Sequence, residues 1–491
     1  MQKWNIKIDN LSLGGFAPAY WKNPYASFGN VNQAGDMSNV DMTDPSGITQ
    51  GPGLVALTNG TQAAAVTTLI KSILDKAVTA NLTYAVGGAK LYSLSATAVT
   101  NAGIFPHTID KAAVTGEDGE DVAHFGGKLY YSYNYTGGGD IGRHDLATTF
   151  VDDWGSTIPA TGATALAGGV PHQFAQTAEF LYVTNGRYIT EYDLTNDIMT
   201  EQGLDLPTGS EAQSHVISDD RLYISVNLND LSGNNKCEGI IYKWDRNADS
   251  WDPDSVFGLG RVGALYRKGG VVFVFHQDLT STGGYHLGYV SGNQITNVAS
   301  YKGSLPGFNQ VTEIEGFLVW ESSGLLYAWG SGGLDMTVRV FQYADGGHAT
   351  VGGIASPFGT LLTASNVTTS YKLAKASGYD VNCSFKTKNF NVSQNTIGPK
   401  STSLIDRITV NFDVLAANSR VDMLLNKDKS GVGWGGATTG RISHTGDGAI
   451  CQKVFYPRTE CKNFRLEFDW SNGNVINNVK INNIIVEGHS L

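Results

Sequence analysis

Apolar residues along this chain come in short bursts of alternation, and the bursts recur. A short apolar strand, a turn carrying Gly or Asp, and an aromatic-rich strand appear as TYAVGGAKLYSL from Thr83, DVAHFGGKLYYSY from Asp121 and HQFAQTAEFLYV from His172. The unit returns as HVISDDRLYISV from His215, ALYRKGGVVFVF from Ala264 and VTEIEGFLVWES from Val311, with a weaker copy, GGIASPFGTLLTA, from Gly352. Leu91, Leu129, Leu181, Leu222, Val272, Leu318 and Leu361 mark corresponding points, 38 to 52 residues apart. Several copies run on into a third strand that ends in a polar corner: RYITEYDL from Arg187, GIIYKWDR from Gly239, GYHLGYVSG from Gly284 and MTVRVFQY from Met336. Ile189, Glu191 and Asp193 alternate there with Tyr188, Thr190 and Tyr192, the period of a half-buried strand. Four-stranded units of about 40–50 residues are the period of a β-propeller. The pattern predicts an all-β chain with a propeller of about seven blades, placed at residues 61–380. The run from Leu54 to Leu74 fits either a strand that closes the ring or a short helix, because its apolar spacing suits both.

Beyond Cys383 the pattern changes to longer strands, SFKTKNFNV, LIDRITVNFDVL, RVDMLLNK, KNFRLEFDW and VKINNIIVEG. Alternating Phe464, Leu466, Phe468 and Trp470 need a buried face and a second sheet to cover it. Residues 381–491 therefore read as a C-terminal β-sandwich. Residues 1–60 show no regular period and carry Gly14-Gly15, Pro18, Pro24, Pro45 and Pro52. They read as an extended N-terminal arm, ordered by lying against the propeller or a neighbouring subunit.

Composition agrees with the pattern. Gly is abundant at 60 of 491 residues, charged residues are only 16%, and hydrophobic residues reach 41%. Such a chain suits many short strands and tight turns. The net charge of -11 argues against affinity gained by neutralising nucleic-acid phosphates, but suits walls past which DNA slides without specific binding. No stretch approaches the ~20 apolar residues of a membrane span. The N-terminus shows no basic region followed by an apolar core, so synthesis in the cytoplasm is the expectation. Cys237, Cys383, Cys451 and Cys461 fit no zinc template; free thiols are expected, although Cys451 and Cys461 are near enough in sequence to face each other across a hairpin.

Motifs with chemical meaning are few. Gly258, Gly260 and Gly263 match G-x-G-x-x-G, but strands rather than a helix follow, so a blade-to-blade loop is expected. Glu117, Asp118, Glu120 and Asp121 offer hard oxygen ligands without EF-hand spacing, as do Asp245, Asp252 and Asp254; both read as solvated turns. His124, His172 and His215 fall near the first strands of successive units, where a histidine-lined channel competes with histidines satisfied within blades. No G-x-S-x-G, H-E-x-x-H or P-loop occurs. No catalytic constellation, cofactor or metal site is expected. Tyr130, Tyr131, Tyr133 and Tyr135 and the loop residue Trp434 remain as aromatic candidates for stacking on sugars, with Tyr131, Tyr133 and Trp434 the binding candidates; ordinary strand alternation is the competing reading for the tyrosines.

The N-terminal segment carries a resemblance. Gly14-Gly15-Phe16-Ala17-Pro18, then Asn39-Val40-Asp41, then Gly51-Pro52-Gly53-Leu54-Val55 resemble the start of tail proteins of tailed bacteriophages, especially propeller-containing tail nozzle (tail tubular) proteins. The KLY and RLY strands that follow look like the propeller of such proteins. The resemblance implies a non-enzymatic virion structural protein at the tail nozzle or tip, made in the bacterial host cytoplasm. It would form a ring with other copies of itself around the DNA path and contact other phage tail proteins. A receptor- or glycan-binding tail adhesin is the second reading, and a polysaccharide-degrading propeller enzyme the third.

Overall fold

A computed structural model describes residues 3–9, 34–38, 40–41, 47–50, 53–57, 66–99, 103–159, 162, 164–229, 237–247, 250–278, 284–301, 303–314, 316–330, 337–342, 348–367, 370–377, 383–387, 390–391, 402–413, 420–427, 441–443, 451–470 and 479–491. The chain groups into two compact units, interleaved in sequence: residues 55–324 with 347–375, and residues 1–54 with 325–346 and 376–491.

The first unit carries a β-propeller apart from two strands of its sixth sheet, Leu325–Gly330 and Thr337–Gln342, which fall in the second unit. Among the described residues seven four-stranded antiparallel sheets follow one another, six of them in simple meander order. The seventh is completed out of order: His348–Ala355, Leu362–Val367 and Ser370–Ser377 are joined by Gly53–Ala56 as the outer strand. Leu57 continues that pairing, its N–H donating to the Leu373 carbonyl at 3.0 Å. Leu54–Ala56 thus supplies the closing strand, and Ser72–Ile73, at the far end of the same apolar run, is the innermost strand of the first blade.

Hydrogen bonds between first strands show which edge of each blade is innermost. Ser72 Oγ donates to Asp121 at 2.7 Å, and the Phe174 N–H donates to the other Asp121 oxygen at 2.8 Å. The His215 N–H donates to Gln173 Oε1 at 2.7 Å, and Leu265 N–H to Ser214 Oγ at 3.0 Å. The Ala264 N–H donates to the Pro306 carbonyl, Gln310 Nε2 to the Val351 carbonyl and the Gly353 N–H to the Ile70 carbonyl, each at 3.0 Å. Every junction of the ring, including the last with the first, carries at least one such bond.

Blade stacking explains the side-chain pattern. A central strand is covered on both faces by neighbouring blades, so it reads as a continuous buried run rather than as in-out alternation. In the second blade Lys128–Tyr135 is buried from Leu129 to Tyr133. Tyr130 packs toward the third blade with Trp154, Leu181 and Tyr192, while Tyr131 and Tyr133 pack toward the first with Tyr84, Val86 and Leu91. The hairpin before this strand turns through Gly126 and Gly127, at φ +55° and +73°, a region that only glycine enters without strain.

The repeat and the blades differ in one respect. In the second to seventh blades the recurring hairpin is strands one and two, but in the first blade Thr83–Gly87 and Lys90–Leu94 are strands two and three. Leu91 is therefore not equivalent to Leu129. MTVRVFQY is likewise the fourth strand of its blade, the third being Leu325–Gly330. A strand–glycine turn–strand signal is the same for any adjacent pair in a meander, so local pattern does not count strands from the axis.

The second unit is a β-sandwich. One sheet runs Lys3–Asp9, Ile481–Ser490, Ser403–Phe412, Gln452–Phe455, with Thr459–Cys461 also on Ser403–Phe412. The other runs Ala34–Ser38, Ser384–Thr387, Asn463–Asp469, Arg420–Lys427, Arg441–Ser443, with Phe390–Asn391 beside Asn463–Asp469. Phe464, Leu466, Phe468 and Trp470 are buried as their alternation requires, and Trp4 of the first sheet stacks on Phe464 of the second at 6.4 Å. The stretch read as an extended arm thus contributes two sandwich strands: Lys3 pairs with His489, and Met37 with Phe385. Of its other described residues, Val40–Asp41 pairs with Thr49–Gln50 and Gly53–Ala56 belongs to the seventh blade. Cys383, Cys451 and Cys461 are not joined in disulfides.

Candidate binding surface

The aromatic candidates from the sequence are placed unequally. Trp434 lies outside the described residues. Tyr131 and Tyr133 are fully buried. Tyr131 donates its hydroxyl to the Asp152 carboxylate, and Tyr133 donates to the Asp152 carbonyl at 2.5 Å. Burial and the nearby carboxylates push both phenols far above their ordinary range. Neither ring has a face open to a sugar; the strand-core reading of these tyrosines is the one the structure carries.

The same corner of the second blade gathers other polar groups. His107 Nε2 meets Asp152 at 2.9 Å, and the Asp110 N–H donates to it at 3.0 Å. Burial alone would raise the Asp152 carboxyl, but bonds from His107 and Tyr131 outweigh it and hold the group below its usual value. Lys111 donates to the buried Asp140 carboxylate and to Ser156 Oγ at 2.7 Å, while Ser156 Oγ donates to Asp140 at 2.6 Å. A serine beside a lysine suggests an activated nucleophile. Here, however, the serine proton and the ammonium both point at one carboxylate, so the trio is a lock on the short helix Trp154–Thr157 rather than a poised attack geometry.

Near the axis the polar groups are buried as well. Asp121 accepts bonds from three blades' worth of donors, yet its full burial still pushes its carboxyl up to about 6. Asp75, next to the first inner strand, accepts from Thr312 at 2.8 Å, from the Ser356 N–H at 2.7 Å and from Tyr266 at 3.3 Å, tying the first blade to the fifth, sixth and seventh. His172 and His215 are buried, with no ring-nitrogen hydrogen bond of ordinary geometry among the described residues, and the Ala167 and Gln173 backbones only partly offset their burial. Burial drives them down to about 4 and about 3. His124 is half-buried.

The acidic runs resolve into ion pairs. Lys71 reaches Asp118 at 2.5 Å and Glu120 at 2.6 Å. Asp254 meets Lys243 at 2.8 Å, and Asp252 meets Arg221 at 3.3 Å. No group of three His, Cys, Asp or Glu among the described residues is arranged to hold a metal ion. Gly258, Gly260 and Gly263 form the passage from the fourth blade's outer strand, Val256–Leu259, into the fifth's inner strand, Val262–Lys268.

The terminal unit carries a different kind of site, which motif reading missed because its residues come from distant parts of the chain. An open concavity of about 490 Å³ is lined by Lys3, Trp4, Asn5, Asp406, Arg407, Tyr456, Arg458, Glu487 and Gly488. A β-bulge makes it: Ile405 pairs with Gly488 and Arg407 with Glu487, leaving Asp406 as the extra residue. Freed from the ladder, Asp406 meets His489 Nδ1 at 2.7 Å. Arg407 donates to the Glu487 carboxylate. Gly488 is required beneath Trp4, since a Cβ there would lie 2.4 Å from the indole. Tyr456 stands at the rim, 63% exposed, and Arg458 holds a left-handed backbone at φ +44°.

Comparison with known proteins bears on the fold alone. No protein-family model matches the chain, and no curated protein does. Among solved structures, the extracellular domain of a one-component system from B. thetaiotaomicron is 14% identical, with 82% of this chain aligned at a TM-score of 0.42. This chain spans only 46% of that protein's length. The β-propeller domain of the Trilobed protease from Pyrococcus furiosus is 11% identical over 63% of this chain and 96% of that one, with a TM-score of 0.41. An exo-β-1,3-galactanase from Phanerochaete chrysosporium aligns at 8% identity and a TM-score of 0.31, over 67% of this chain and 99% of that one. One of these neighbours is a β-propeller by name; the all-β propeller fold of this chain rests on its own four-stranded sheets.

Proposed function

We propose that this chain is a non-enzymatic structural protein of a phage tail, a nozzle or tip component that assembles with copies of itself as a ring around the DNA path. One observation carries the reading. At least one hydrogen bond joins the inner edges of the blades at every junction, which suits a stiff building block. The resemblance of the N-terminal stretches to nozzle proteins gives that block its place, and the net charge of -11 suits a surface that DNA passes without holding. A ring follows from repeating one head-to-tail interface until it closes. Electron microscopy of the purified protein and mass spectrometry of purified particles test this. Closed rings and a fixed copy number per virion are expected; a monomer absent from virions would overturn it.

A second reading, a receptor- or glycan-binding tail adhesin, is favoured by the concavity in the terminal unit with its exposed Tyr456. No observation favours polysaccharide cleavage, which stands last.

A further inference from the structure

We infer that the concavity of the terminal unit binds an acidic saccharide, with a sugar ring lying on Tyr456 and its carboxylate taken by Lys3 and Arg458. Three observations lead there. First, the charge is locally reversed. The chain as a whole is acidic at -11, yet Lys3, Arg407 and Arg458 line the concavity against Asp406 and Glu487. Both carboxylates are already engaged, Asp406 by His489 and Glu487 by Arg407. Neither Lys3 nor Arg458 is ion-paired among the described residues, and with three cations against two carboxylates the hollow keeps a net positive charge that draws an anion.

Second, Tyr456 is the most exposed large aromatic or aliphatic side chain described, at 63%. An exposed aromatic face beside polar groups suits the C–H face of a sugar, with the hydroxyls left to Asn5 and the engaged carboxylates. Third, Arg458 keeps a side chain at φ +44°, where glycine would relieve the strain. A bulky residue held in that conformation at the rim of a cavity points to a use for its guanidinium, which grips a carboxylate with two parallel bonds.

This site deepens the adhesin reading and does not depend on ring assembly. The test is calorimetric titration of the full chain with oligosaccharides of galacturonate, glucuronate and sialate, and with their carboxyl-reduced neutral forms. At least one acidic oligosaccharide should bind, about tenfold or more tighter than its neutral form. Tyr456→Ala and Arg458→Gly should each weaken it about tenfold with the melting transition unchanged, since glycine accepts the Arg458 backbone. No binding to any acidic oligosaccharide, equal binding of the neutral forms, or indifference to both substitutions would overturn the site. So would displacement by inorganic phosphate at equal concentration, which would mark a simple anion patch. Particles that retain the protein while the site fails would leave the tail reading standing, and a working site on a protein absent from virions would separate the two in the other direction.

Discussion

The propeller and the terminal sandwich treat polar side chains in opposite ways. In the propeller several are drawn inward: Asp121, Asp140, His172 and His215 are buried, and the carboxylates among them fasten blade to blade or strand to helix. In the sandwich they are pushed outward, onto a sheet whose bulge at Asp406 opens a charged hollow with an exposed tyrosine. Geometry is the reason. A blade has two covered faces and one narrow inner edge, so most polar groups there find a partner in the next blade. A sandwich sheet has one face free for water, and charges collect on it at little cost.

That contrast can be attacked from either side, beginning where the effect should be greatest. Trp154 is fully buried, edge-on to Tyr192 at 4.8 Å and Tyr130 at 4.9 Å, with Arg143 over its ring at 5.2 Å. Trp154→Ala should destabilise the propeller by ~3–5 kcal/mol in denaturant unfolding. A loss below ~1 kcal/mol would mean that the blades are not locked by packing. Asp121→Ala removes the acceptor shared by Ser72 and the Phe174 and Val122 backbones. Leaving those donors buried should cost ~2–3 kcal/mol, read from the urea midpoint, with Asp121→Asn milder.

Acidity provides the third test. His172 and His215 have folded pKa values lowered to about 4 and about 3, so the stability they contribute is present above ~6.5 and is lost as pH falls toward those values. Asp121 is raised to about 6; the stability it contributes is full below ~3.8 and is lost as pH rises through its folded value. Between pH ~6 and ~4 these three groups together lose ~1.4 kcal/mol per pH unit as pH falls, while Asp75, Asp140, Glu191 and Glu321, all raised by burial, return stability as pH falls. The histidine share is read by comparing the urea midpoint of the wild type with that of a His172→Gln, His215→Gln double variant across this window; identical pH slopes would show the histidines to be partnered or solvated. The smallest effect belongs to the other region. Tyr456→Ala should shift stability by less than ~0.5 kcal/mol, because an exposed side chain has little packing to lose. A larger loss would show that the rim is structural and that the two regions differ less than their geometry suggests.

Much of the fold was legible because repetition amplifies a weak signal. Each hairpin alone is ambiguous, but successive copies at propeller spacing leave few architectures, and Phe464, Leu466, Phe468 and Trp470 announced a covered sheet. What misled was the count within a blade: Thr83–Leu94 matches the other hairpins in sequence yet sits one strand farther from the axis. The candidate site was less legible. Tyr131 and Tyr133 looked like an alternating, half-exposed strand, and only stacking of a blade on each face buries both parities. Conversely, Lys3, Arg407, Tyr456, Arg458 and Glu487 share no motif, because they meet through strands from both ends of the chain.

By itself, the order of residues determined the all-β class, the propeller period, the closing role open to Leu54–Ala56 and the covered face of the C-terminal strands. These rest on local periodicity, which side-chain geometry translates directly into strand and turn. Tertiary structure alone decided that Lys3–Asp9 completes the terminal sandwich, that Asp75 and Asp121 tie blades together, and that a bulge at Asp406 opens a charged hollow. Those outcomes depend on which distant strands pair and in what register. Pairing is selected by burying a whole face at once, and no short window of sequence contains that information.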